Sequence, residues 1–171
     1  MKRLLPSAEM TTGPFFPVEF AARANDLTVL DGRTVPGEVI EITGRVTQLD
    51  GRALDNVVIE LWQADAAGRL DTADFCGWGR AATDSQGVYR FRTIRPGALP
   101  GRAPHLNLLV LYSGLMRQLQ TVVFFENAKD PVLEAVPPAR RSLLVAQKAD
   151  AKTYRFDIRL RGDGETPFFD D

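Results

Sequence analysis

The chain has 171 residues, 44% of them hydrophobic and 25% charged, with a formal net charge of −1. Such a chain fits one globular domain that buries about 70% of its unfolded surface, and without a Lys/Arg-rich run it leaves nucleic acid unsupported as a partner. No stretch nears the roughly 18 apolar residues that span a bilayer, and a single cysteine excludes an intrachain disulfide framework, so a cytoplasmic protein with no membrane contact is expected.

Residues 1–36 are irregular. The start, Met1-Lys2-Arg3-Leu4-Leu5-Pro6, turns polar before a signal-peptide core develops, and Thr11-Thr12-Gly13-Pro14-Phe15-Phe16-Pro17 carries too many prolines for a regular element. Phe15, Phe16, Val18 and Phe20 give this stretch more aromatic surface than a disordered tail holds. We expect an extended N-terminal arm that packs on its own core or on a partner subunit, followed by one β-sandwich domain over residues 37–171.

The β-branched run at 39–46 reads as a strand ended by the Asp50-Gly51 turn. A second strand at 57–62 is closed by Ala66-Ala67-Gly68, and Asp84-Ser85-Gln86-Gly87 turns into a third at 88–94, stopped by Arg95-Pro96-Gly97. The nearly continuous apolar runs at 105–112 and 119–126 read as strands buried on both faces. Asp130-Pro131 supplies an N-cap and an N1 proline for a short helix, and a second is expected at 141–147. Residues 154–160 return to strict alternation, with Tyr154, Phe156, Ile158 and Leu160 inward. The expected fold is all-β: a sandwich of antiparallel strands with short helices.

Chemistry-bearing residues are sparse. His105 is the sole histidine and Cys76 the sole cysteine, whereas a transition-metal site draws three or four ligands from His, Cys and carboxylate. No nucleophile elbow is present, and Gly77-Trp78-Gly79-Arg80 lacks the rest of a phosphate-binding fingerprint. Phe75-Cys76-Gly77-Trp78 reads as the apolar setting of a buried, structural thiol. Trp62 reads as a core anchor, Arg80 as half of an ion pair with Asp74 or Asp84, and His105 as a hydrogen-bonded strand residue.

The order of several segments resembles the intradiol ring-cleavage dioxygenases, and within them the α-type subunits of protocatechuate 3,4-dioxygenases. The matching stretches are Thr12-Gly13-Pro14-Phe15, Ile59-Glu60-Leu61-Trp62-Gln63-Ala64-Asp65, Gly77-Trp78-Gly79-Arg80, Arg95-Pro96-Gly97, Ala103-Pro104-His105-Leu106-Asn107 and Tyr154-Arg155-Phe156-Asp157-Ile158-Arg159-Leu160. The resemblance implies a ferric centre held by two tyrosines and two histidines, the histidines spaced to share one strand face. Here that pair reads His105 and Asn107, the tyrosine after the Arg95-Pro96-Gly97 turn is replaced by Leu99, and no tyrosine stands between Arg69 and Trp78. Asp71, Asp74 and Tyr112 have no spacing that recommends them as substitutes.

An α-type subunit is therefore expected. It holds no catalytic residue and no metal, and Fe(III) is carried by a homologous β-type partner in an (αβ)n hetero-oligomer that acts on a catecholic carboxylate and O₂. The resemblance places Thr11, Thr12, Gly13 and Pro14 in a substrate pocket at the subunit interface. Ser113 stands where the α-type pattern often has a substrate-facing arginine, and Arg117 is the candidate to replace it. The alternative reading is a stand-alone, non-catalytic β-sandwich binding or assembly module.

Overall fold

The computed structural model describes residues 24–113, 115 and 117–169; Thr11, Thr12, Gly13 and Pro14 lie outside them. In chain order the elements are β1 (Val29–Leu30), β2 (Arg33–Thr34), β3 (Val39–Thr47), β4 (Val58–Gln63), β5 (Trp78–Ala82), β6 (Val88–Ile94), β7 (His105–Leu111), β8 (Leu119–Phe124), α1 (Pro131–Ala135), a 3₁₀ segment (Pro138–Leu144), β9 (Gln147–Lys148), β10 (Thr153–Arg155) and β11 (Ile158–Arg159). One sheet is built on β3, with β6 on one edge and β10, β11 and β9 on the other side; the second runs β5-β4-β7-β8. Period-two patterning drives this arrangement. In β3 the residues Ile40, Ile42, Gly44 and Val46 are buried while Glu41 and Arg45 are exposed. With Tyr89 and Phe91 of β6 they share one core with Ile59, Leu61, Leu106 and Leu108 of the other sheet. The sandwich is thus as expected, mostly antiparallel, with β10 and β11 parallel to β3.

Several local expectations need correction. The alternating run at 154–160 is broken into β10 and β11 at Asp157: the Phe156 N–H still donates to the Thr43 carbonyl at 2.8 Å, but the Arg45 N–H donates to the Asp157 Oδ1 at 2.9 Å instead of to a backbone carbonyl. Tyr154, Phe156 and Ile158 are buried as anticipated, but Leu160 is only partly so. The second helix is a 3₁₀ segment starting at Pro138, and Gln147 belongs to β9, where it pairs with Arg155. Strand β7 is not buried on both faces, since Asn107 is exposed. Asp130 caps α1 and Pro131 opens it, as the sequence indicates. Residues 24–36 pack onto the sandwich through buried Leu27 and Val35, and the Leu27 N–H donates to the Arg92 carbonyl at 2.8 Å.

Polar pins cross the core. The buried Tyr89 hydroxyl donates to the Phe156 carbonyl at 2.6 Å, and burial raises its pKa far above the ordinary phenol value. The Thr93 hydroxyl donates to the Gln63 Oε1 at 2.7 Å, while the Gln63 amide donates to the Ile94 carbonyl at 2.9 Å. The two Gln63 bonds join β6 of one sheet to β4 of the other, so the second sheet is held in a fixed position for the side chains on its outer face.

Candidate functional site

Register places the candidate residues on that outer face. Asn107 of β7 stands opposite Trp62 of β4, which stands opposite Trp78 of β5; one row further, Glu60 stands opposite Arg80. His105 lies two residues from Asn107, on the same side of β7, facing Phe124 with ring centroids 6.0 Å apart. The pairing of His105 with Asn107 on one face is therefore as the motif implies.

His105 is 5% exposed, and its Nδ1 lies 2.7 Å from the Ala103 carbonyl. A carbonyl only accepts, so Nδ1 carries the proton. Burial holds the imidazole pKa below its ordinary value; the Ala103 bond opposes this, the nearby Arg102 charge adds to it, and Asp130 opposes it. Because the unfolded state then binds a proton more readily, stability is complete above about pH 6.5 and falls as pH drops toward the folded-state pKa. With one histidine in the chain, we expect a stability slope in urea unfolding that begins as pH falls below about 6.5 and vanishes in His105→Gln. The same slope in both proteins would assign it elsewhere.

The loop before β7 is fixed by a buried ion pair. Asp130 has no exposed side-chain surface and accepts from Arg102 Nε at 2.8 Å, the Ala103 N–H at 2.9 Å and the Val132 N–H at 2.8 Å. Leu99 sits half-buried in the same loop, its carbonyl accepting from the Arg102 N–H at 3.0 Å. A second carboxylate orders the turn after β4: Asp65 accepts from the N–H groups of Ala67 and Arg69 at 2.9 and 2.8 Å and from Arg69 Nε at 2.9 Å. Burial would raise the Asp65 pKa, but these donors outweigh it and hold the carboxyl below its usual range. A Cβ on Gly68 would lie 2.0 Å from the Ala98 carbonyl, so this loop needs glycine to seat against the Leu99 turn.

A cleft of about 500 Å³ opens beside the row, lined by Trp62, Leu70, Asp71, Phe75, Cys76 and Trp78 among others. Three sequence expectations change here. Trp62 is no core anchor: it is 47% exposed, because Ile59 and Leu61 take the inward positions of β4, and its ring meets Trp78 edge-on at 6.3 Å. Cys76 is exposed rather than buried. Arg80 does form an ion pair, but with Glu60 directly across the strand pair rather than with Asp74 or Asp84, and its guanidinium lies 5.3 Å from the Trp78 ring centroid.

Ser113 and Arg117 are exposed in the connection between β7 and β8. The structure does not bring them to His105, since β7 separates its two ends by about 20 Å. Among the described residues no group of three or more His, Cys, Asp or Glu is placed to hold a metal ion. Asn107 offers a neutral amide and Leu99 a hydrocarbon, so the residues at the implied ligand positions do not fit a ferric centre.

The family described as "Dioxygenase" matches residues 11–162. A protocatechuate 3,4-dioxygenase alpha chain from Burkholderia cepacia is 34% identical over 99% of this chain and 100% of its own length. The beta chain from the same organism is 35% identical, covering 96% of this chain and 84% of the relative. Among solved structures, the dioxygenase domain of a carbohydrate-binding fusion from Streptomyces sp. SirexAA-E covers 92% of this chain with 25% identity and a TM-score of 0.65. The chain belongs to the dioxygenase family. Its class is that of the intradiol ring-cleavage dioxygenases, and it is a component of such an enzyme.

Proposed function

We propose that the chain is the α-type, non-iron-binding subunit of a heteromeric protocatechuate 3,4-dioxygenase. With a homologous β-type subunit that carries Fe(III), it would open the catechol ring of protocatechuate with O₂ to give 3-carboxy-cis,cis-muconate. The observation that carries this reading is the face of the second sheet: it keeps the motif's geometry, with His105 and Asn107 side by side, while its donors are gone at Asn107 and Leu99. Overall identity does not separate the two subunit types, since the alpha and beta relatives match almost equally; the residues at the ligand positions support the α-type reading.

In this reading the chain contributes walls and binding, not redox chemistry. Arm residues Thr11, Thr12, Gly13 and Pro14 line a pocket shared with the partner, with Ser113 and Arg117 at the far end of β7. The distance of those last two from His105 supports a pocket completed by another subunit, because this chain's own degenerate centre lies at the opposite strand end. Arg117 would then meet the substrate carboxylate by a charge-assisted bond. The arm (1–36) and the sandwich (37–171) divide the work between reaching the partner and shaping the site, in a cytoplasmic (αβ)n assembly.

The test is iron content and visible absorption of the chain purified alone and co-expressed with a homologue bearing both strand histidines. Colourless, iron-free protein alone and a coloured tyrosinate–Fe(III) complex on co-expression are expected. Stoichiometric iron in the chain alone would overturn the reading.

A further inference from the structure

A second cavity lies away from that face. It is bounded by the 3₁₀ segment, β9, the end of β3 and the β10–β11 connection, has a volume of about 300 Å³, and is lined by Thr47, Ser142, Gln147, Arg155, Asp157 and Arg159, with Gly164 at its rim. Its charges are unequal. Arg155 is committed to Asp157, its Nε 3.0 Å from both carboxylate oxygens and its Nη2 2.7 Å from Oδ2. Asp157, the one acidic residue among the described lining residues, also accepts the Arg45 N–H at 2.9 Å. That pair is neutral and internally satisfied.

Arg159 is not. Its Nε is buried with no hydrogen-bond partner, and its Nη2 reaches only the Leu49 carbonyl, at a long 3.4 Å. Arg159 and Gly164 both line the cavity, and a Cβ built on Gly164 would lie 3.8 Å from Arg159 Nη1 with no other atom within 4 Å. A guanidinium always carries its charge, and leaving its donors unmatched away from water is costly. The pocket therefore holds one uncompensated positive charge, with the Ser142 hydroxyl and the Gln147 amide as neutral donors on its walls. A single cationic fork with flanking neutral donors matches a monoanion with two oxygens better than a dianion.

We propose that this pocket binds a small free carboxylate through the Arg159 guanidinium. The proposal does not depend on which subunit carries iron. It is tested on the full ¹⁵N-labelled chain by titrating acetate, and separately inorganic phosphate, against chloride at constant ionic strength while following arginine Nε–H resonances. A saturable acetate shift of one Nε–H is expected, together with a shift of the Gln147 side-chain amide whose apparent affinity falls about tenfold or more in Arg159→Met. Should Arg159→Met fail to fold, Ser142→Ala changes an exposed residue and is expected to weaken acetate several-fold. An acetate response that does not saturate, one that survives Arg159→Met, one that Ser142→Ala leaves unchanged, or tighter binding of phosphate than of acetate would each overturn the assignment.

Discussion

Replacing Asp130 by alanine is expected to remove about 3–5 kcal/mol of unfolding free energy, because it strands the half-buried Arg102 and two backbone donors at once. Part of that loss is the helix cap, about 1 kcal/mol. The rest is the ion pair that holds the 99–103 loop beside His105. Asp130→Asn keeps one acceptor oxygen and should lose distinctly less. Burial alone would raise the Asp130 pKa, but the Arg102 guanidinium and the N–H groups of Ala103 and Val132 outweigh it and hold it below the usual carboxylate range. Its contribution is therefore present above about pH 4 and lost as pH falls through the folded-state value. Urea unfolding at neutral pH measures the loss; a drop under about 1 kcal/mol would show that the loop is held by something other than this pair.

The second large effect is expected at Gly44. A Cβ there would lie 1.8 Å from the Phe156 carbonyl oxygen and 2.9 Å from Cε1 of Tyr89, the ring that donates to that same carbonyl. Neither obstacle is the free end of a flexible side chain. Gly44→Ala must push the β10–β11 connection off β3 and stretch the Tyr89 bond, an overpacking cost of about 3 kcal/mol or more. Gly51→Ala is the control: it has positive φ but nothing within 4 Å of a new Cβ, so only about 1 kcal/mol of backbone strain is expected. Equal midpoints for the two variants in urea would mean that the connection simply moves aside.

The strands at 39–46 and 88–94 are legible from alternation between turn signals, and they fall within a residue of β3 and β6. Strand β5 was not legible. Gly79 makes it read as a loop, yet glycine is required there because Ala24 and Leu27 press on it: a Cβ would lie 2.6 Å from the Ala24 carbonyl and 2.5 Å from Leu27 Cδ1. Trp62 reads as a core residue by hydrophobicity alone, but its alternation with Leu61 assigns it outward. At the candidate site the motif order gave the strand and the missing donors. The Asp130–Arg102 support was invisible, since it joins residues 28 apart through a side chain rather than a pattern. The Arg159 pocket was harder still, drawing its walls from residues as distant as Thr47 and Gly164.

The parallel pairing of β10 and β11 with β3 has a consequence for the timing of synthesis. Arg45 waits for Asp157, 112 residues further along, before its N–H finds an acceptor. At about 5–20 residues per second, one long edge of β3 stays open for roughly 5–20 s after it leaves the ribosome. The nascent chain thus presents one open edge of a nine-residue strand until residues 153–159 emerge. Sandwich closure, and with it any seating of a partner against the finished sheets, waits until residues 153–159 have been made.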